Sequence, residues 1–316
     1  MENYDENRLL IEIAHLYYDK NLTQAQIARK YNISRSSISK MITKARLLGI
    51  VEVVIHDEGV HPYRELESEL KEALFLKDVI CVNVEYKDLL IDRLSSAASK
   101  YLARKMSNNK VIAMAGGRTC YQIASGFVCS LPFDDVTFVP ISGGLGDKYR
   151  YMQASAICEM LAHRSGGNYM ELHAPLVVDS HEAKKMLISQ NFIKEVFDKA
   201  KNADLAVVGI GGQDRYRTWV ENYMYKQYKS LQELDEAIVG DISYNIYNKR
   251  GEKIDCKWHD HLMSLDLNEI KKIKEVVAVA GGVEKADSIY TAIRCNYIDS
   301  LITDVNTAKK LISLAR

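Results

Sequence analysis

No apolar run in these 316 residues approaches the length needed to cross a bilayer. The opening Met1-Glu2-Asn3-Tyr4-Asp5-Glu6 is acidic and polar, so a signal peptide is not expected. Close cysteine pairs are also missing. Cys81, Cys120, Cys129, Cys158, Cys256 and Cys295 are scattered, which matches neither a zinc site nor a small disulfide framework. Reduced thiols in a cytoplasmic protein are the expectation. Neither sign of charge is in excess, with 42 Lys+Arg against 42 Asp+Glu, so bulk composition gives no bias toward nucleic acid. One local absence says more. Between Asn21 and Gly49 there is no Asp or Glu at all, while Arg29, Lys30, Arg35, Lys40, Lys44 and Arg46 are all present.

That acid-free stretch carries helix signals. Leu9, Leu10, Ile13, Ala14, Leu16 and Tyr17 recur at helical spacing and predict an amphipathic helix over 5–19. Thr23 is placed as an N-cap, with Gln26 completing a capping box, and the second helix should run to about Tyr31. Asn32-Ile33 reads as a tight turn, Ser34 caps a third helix and Gly49 ends it. Ile27, Ala28, Ile33, Ile38 and Ile42 would form the small core, and 51–55 would add a strand as a wing. This is helix-turn-helix spacing, and a basic third helix suits phosphates and the major groove. The candidate DNA contacts are Thr23, Arg35, Ser36, Ser37, Ser39, Lys40 and Lys44. The alternative is a solvated basic face on a helical bundle. Since one such module has limited specificity, a dimer on a two-fold site is expected.

Residues 56–62 are polar, contain Gly59 and Pro62, and read as a linker, dividing a winged helix-turn-helix domain (1–55) from a larger domain (63–316). In the larger part an apolar run ending in paired glycines occurs four times. The runs close on Gly116-Gly117, Gly143-Gly144, Gly211-Gly212 and Gly281-Gly282. With helical segments between them, these units predict an α/β domain with one Rossmann-like parallel sheet, whose strands end at a common ligand-binding rim. Helices are expected over 63–76, 89–105, 154–164, 183–201, 231–237, 285–294 and 307–314, and strands near 244–247 and 300–303. Gly116-Gly117-Arg118-Thr119, between a strand and a helix, has the makings of an anion cradle: backbone N–H groups, a helix N-terminus, a guanidinium and a hydroxyl. The alternative is a tight turn with no ligand. The Gly143-to-Gly146 loop would supply a second set of N–H donors, with Lys148 and Arg150 just beyond it.

Taken in order, these residues resemble the SorC family of bacterial transcriptional regulators. The resemblance runs nearly end to end. It includes the helix-turn-helix, Gly116-Gly117-Arg118-Thr119, Val139 to Gly146 with Gln153, and Leu172-His173-Ala174-Pro175-Leu176. It continues through Ala203 to Gly211, Gly240-Asp241-Ile242, Ala280-Gly281-Gly282 with Lys285, Leu301-Ile302-Thr303-Asp304 and Thr307-Ala308. It implies an effector domain related in fold to sugar-phosphate isomerases and deaminases, a phosphorylated sugar as effector, and dimers or tetramers on operator DNA. It also implies effector contacts from Gly143, Gly144, Leu145 and Gln153, hydrogen bonding of sugar hydroxyls by Asp241, and Lys285 against the ligand's charged end. These join Gly116, Gly117, Arg118 and Thr119.

Two further absences limit the chemistry. Some branches of the family carry a lysine immediately before the paired glycines, able to form an imine with an aldehyde sugar; here Ser142 stands there, so reversible, non-covalent binding is expected. No Gly-x-Ser-x-Gly elbow surrounds Ser142, and Asp241 has no evident acid–base partner. The expectation is a regulator of a carbohydrate or polyol operon, not an enzyme, with no cofactor and no membrane partner. The alternative is an isomerase- or deaminase-like enzyme with an appended DNA-binding module. His259-Asp260-His261 lacks a clear fourth ligand and reads as a polar loop, with no metal. The run from Trp219 to Tyr228 reads as an interface or lid helix.

Overall fold

The structure, a computed structural model, describes residues 2–51, 62–129, 132–212 and 238–316. Its contacts divide the chain into two units, Met1–His61 and Pro62–Arg316. The predicted wing beyond Val51, the linker before Pro62, the 231–237 helix and the aromatic run at 219–228 lie outside the described residues.

In the first unit, helices span Glu2–Ala14, Gln24–Tyr31 and Arg35–Leu47, the first continuing as a π-helical turn, His15–Asp19. Capping chemistry sets the boundaries. The Gln26 N–H donates to Thr23 Oγ1 at 3.3 Å, and the Thr23 N–H donates to Gln26 Oε1 at 2.9 Å. The Ser37 N–H donates to Ser34 Oγ at 3.0 Å. Asn32 (φ 53°) and Gly49 (φ 71°) take the left-handed conformation that ends helices two and three. Ile13, Ile27, Ala28, Ile38 and Ile42 form the core. Ile33, expected inside, is 37% exposed because it lies in the turn, and Ile13 contributes to the core.

The second unit carries strands β1 (Asp78–Val82), β2 (Val111–Met114), β3 (Thr137–Pro140), β4 (Asn168–Tyr169), β5 (Leu205–Gly212), β6 (Gly240–Ile242), β7 (Asn245–Tyr247), β8 (Val276–Val279) and β9 (Ser300–Asp304). Seven of these run parallel in the order β1-β9-β8-β5-β2-β3-β4, with β6 and β7 added antiparallel to the end of β5. The four strand-then-glycine units are adjacent in space, as β8-β5-β2-β3. Their interiors read as unbroken apolar runs because both faces are covered: Ile112, Phe138, Val208 and Ala278 are all fully buried.

Two sequence expectations need correction here. The helix expected over 183–201 is two helices, His181–Ile188 and Asn191–Lys201, broken where Gln190 turns extended (ψ 128°). The strand near 244–247 is a hairpin, β6 and β7, joined by Ser243-Tyr244.

Candidate functional site

From β2 the chain moves outward to β3 and β4, returns to β5 on the other flank of β2, and then moves outward again to β8 and β9. This reversal opens a crevice at the carboxyl ends of β2 and β5, the usual ligand position in an open α/β sheet. Gly116-Gly117 leaves β2 there, and the helix Arg118–Ser125 begins on Gly117. The Gly117 N–H donates to Met152 O at 2.8 Å, so it belongs to the fold and not to a ligand. The amides of Arg118 and Thr119 precede the first internal bond of this helix, Tyr121 N–H to Gly117 O, and head the macrodipole. At Gly117 (φ 113°) the space a Cβ would fill is open for 4 Å. Arg118 is exposed and Thr119 half-buried beside Gly209.

The second glycine loop differs from expectation. Gly143 N–H donates to Met263 O at 2.8 Å, and Gly144 N–H to Ala174 O at 2.9 Å. Neither amide is a ligand donor, because this loop is stitched to its neighbours. Leu145 is 4% exposed, with its side chain in a second core formed with Leu176, Tyr244, Ile246, Trp258 and Leu262. Gln153 Nε2 donates to Gly146 O at 2.9 Å, bracing the loop. Gly143, Gly144, Leu145 and Gln153 therefore shape the rim; the loop amides at Gly143 and Gly144 do not face a ligand.

Asp241 and Lys285 explain why β5 ends in glycine. In the β5–β6 register Asp241 lies opposite Gly211, and a Cβ on Gly211 would fall 1.8 Å from Asp241 Oδ1. A Cβ on Gly212 would fall 2.9 Å from Lys285 Cγ. The paired glycines thus leave room for a carboxylate and an aminoalkyl stem side by side. Lys285 Nζ donates to Ile210 O at 3.3 Å, and Asp241 Oδ2 accepts the Tyr244 N–H at 3.1 Å. Asp304 secures the neighbouring turn by accepting the Gly282 N–H at 2.8 Å, with Thr307 Oγ1 accepting the same N–H at 2.9 Å.

Sequence reading assigned no role to Tyr244. Its hydroxyl oxygen lies 3.1 Å from where a Cβ on Gly116 would sit, so it links the Gly116 cradle to Asp241. The available signal was the two-residue gap between 240–242 and 245–247, but Ser-Tyr is not the Asn-Gly pair that marks such hairpins. Of the expected effector residues, Gly144 meets Gln153, Gly116 meets the Met152 carbonyl and the Tyr244 hydroxyl, Tyr244 holds Asp241, and Asp241 and Lys285 pack against Gly211 and Gly212. Arg150 is exposed beyond it.

Behind the hairpin, Trp258 Nε1 donates to Tyr244 O at 2.9 Å, and the Ile246 N–H donates to His259 Nε2 at 3.2 Å. His259 Nδ1 lies 2.8 Å from Ile254 O and carries the ring proton. Burial, followed by the charge of Lys253, pushes the His259 imidazole down to about 4. Above about pH 6.5 the ring is neutral in folded and unfolded chains alike. As pH falls from there toward 4 the unfolded chain takes up the proton first, so folding should lose about 3 kcal/mol over that interval. Urea unfolding at stepped pH checks this, with His259→Gln removing most of the slope. Among the described residues no group of three or more His, Cys, Asp or Glu could hold a metal.

The first unit presents a separate candidate surface. Arg35, Ser36, Ser39, Lys40 and Lys44 are exposed along the third helix. Thr23 and Ser37 are committed locally: Thr23 Oγ1 bonds Gln26, and Ser37 Oγ lies 2.9 Å from Ser34 Oγ. Arg46 Nε donates to Tyr18 OH at 2.7 Å and so braces the first helix against the third.

Comparison with known proteins gives two family matches. Residues 60–313 match the family described as “Putative sugar-binding domain”, and residues 12–47 match sigma-70, region 4. The transcriptional regulator LsrR of Enterobacter sp. (strain 638) is 32% identical over 98% of this chain and 94% of its own. The sorbitol operon regulator of Klebsiella pneumoniae is 26% identical over 99% of this chain and all of its own length. Among solved structures, full-length SorC from Klebsiella pneumoniae superposes with a TM-score of 0.79 at 25% identity, covering 96% of this chain and 98% of that one. A DeoR family transcriptional regulator from Listeria monocytogenes gives 0.71 at 25% identity, covering 78% and 98%.

Proposed function

This chain belongs to the SorC family of transcriptional regulators built on that sugar-binding domain, and from this premise we propose that it controls a carbohydrate or polyol operon by reversible, non-covalent binding of a phosphorylated sugar. The supporting observation is the crevice at the ends of β2 and β5. There a helix N-terminus with Arg118 and Thr119 shares one rim with Asp241 and Lys285. An anion cradle, an acceptor for hydroxyls and a cation suit a short phosphorylated polyol. Ser142, 1% exposed before the loop, offers no amine for an imine.

The effector need only bind one arrangement of a paired DNA-binding assembly better than another. In this reading 1–55 is the DNA-binding domain and 63–316 binds effector and assembles the homodimer or homotetramer in the cytoplasm. Arg35 and Lys40 contact operator DNA. Lys40→Ala should weaken DNA binding about ten-fold and reduce the salt slope by about one, while effector affinity is unchanged. Anisotropy titrations over a range of salt concentrations measure both. Equal affinity and an equal slope would remove the third helix from the DNA contact. For the effector, calorimetric titration with a panel of sugar and polyol phosphates and their unphosphorylated parents is the test, and binding of parents and esters alike would exclude a phosphate site.

A further inference from the structure

The hairpin turn that holds Asp241 is unusual. Ser243 and Tyr244 both have positive φ, 47° and 68°. Two left-handed residues in a two-residue loop make a type I′ turn, which ordinarily uses Asn and Gly. A bulky aromatic there is strained, and strain of this kind collects at ligand clamps. It places a 9% exposed side chain whose hydroxyl oxygen stands 3.1 Å from the position of a Gly116 Cβ. The same residue's N–H holds Asp241 Oδ2 at 3.1 Å, and its carbonyl is held by Trp258 Nε1 at 2.9 Å. Gly116 leaves just enough room: any larger residue there would press on the phenol and on Met152 O, also 3.1 Å away.

We propose that Tyr244 is an effector-contacting residue, whose phenolic hydroxyl closes the anion cradle at Gly116 and donates a hydrogen bond to an oxygen of a phosphate monoester held there. The proposal rests on the phosphorylated-sugar reading of the same crevice and adds to it a residue that reads the phosphate. Burial, then the Asp241 charge, pushes the phenol above its ordinary range, so it stays protonated and able to donate. Its own N–H binds Asp241, so the phenol and the carboxylate proposed to meet the sugar hydroxyls are carried by the same hairpin. Phosphate and polyol ends are then sensed through one rigid hairpin.

The full-length Tyr244→Phe chain tests this. The ring and its packing stay, and only the hydroxyl is lost. Glycerol 3-phosphate, pentose 5-phosphates and hexose 6-phosphates, each beside its unphosphorylated parent, are titrated calorimetrically into wild type and variant. The expected result is that whichever ester binds the wild type binds the variant about ten-fold or more weakly. The preference for ester over parent should shrink, while ligand-free DNA affinity is unchanged. A merely structural role would weaken ester and parent alike, and that outcome overturns the proposal. Equal ester affinity in both chains also overturns it while leaving the phosphorylated-sugar reading intact. Failure of every ester to bind the wild type overturns both.

Discussion

Replacing Gly143 by alanine should destabilise the effector unit by about 3 kcal/mol or more and abolish the effector response, the largest single-site effect expected at the rim. A Cβ there would fall 2.4 Å from Pro175 O, 2.6 Å from the Pro175 carbonyl carbon and 2.8 Å from Ala174 O. All three are backbone atoms, so no rotamer change relieves the clash. Nor can the segments simply part. Gly144 N–H to Ala174 O, Leu176 N–H to Gly144 O at 2.7 Å and Gly143 N–H to Met263 O pin them together. Breaking even one buried bond of this kind costs about 1 kcal/mol, and overpacking adds about 1–3 kcal/mol. Gly146→Ala is the control. Its φ of 79° is strained for alanine, but a Cβ there meets nothing within 4 Å, so about 1 kcal/mol is expected. Denaturant unfolding of the two variants compares them. Near-equal stabilities would mean that the stitched loop does not hold the rim.

Lys285→Ala and Asp241→Ala should each cut effector affinity by about 100-fold, because a charged group bonded to the ligand contributes about 1.5–3 kcal/mol. Both side chains occupy space that Gly211 and Gly212 vacate, at the end of a buried strand. Each is fixed in place, Lys285 by Ile210 O and Asp241 by the Tyr244 N–H, so little side-chain entropy is left to lose on binding. Ligand-free DNA binding should be unchanged, since the residues proposed to contact DNA belong to the other unit. Combining the two substitutions should give less than the sum of their effects if both groups hold one ligand. Full additivity would assign them to independent sites. An unchanged effector affinity in either variant would remove that residue from the site.

The parallel sheet was legible in the sequence because strands buried on both faces are written as unbroken apolar runs, as at Val276–Val279 and Leu205–Gly212. The helix-turn-helix was legible because its boundaries are local: Thr23 with Gln26, Ser34 with Ser37, Asn32 and Gly49 act within a few residues. The paired glycines were less informative. They all read as places where a ligand comes close. In the structure Gly143 makes room for the Ala174–Pro175 backbone, Gly211 for Asp241, Gly212 for Lys285 and Gly281 for Asp304. Only Gly117 faces open space. A missing side chain announces a close approach, but not whether the occupant is the protein itself or a ligand. That depends on contacts between residues more than twenty positions apart, which no local pattern records. Tyr244 escaped for a related reason: propensity argues against an aromatic at that turn, and tertiary packing overrides it.

Titrating the chain onto DNA from upstream of its own operon, with and without a panel of sugar and polyol phosphates and their unphosphorylated parents, tests most directly whether a phosphate ester controls DNA binding. The predicted result is an affinity change of about ten-fold or more with one ester and none with its parent sugar. DNA binding that no ester alters, or that the parent sugar alters equally, would contradict it.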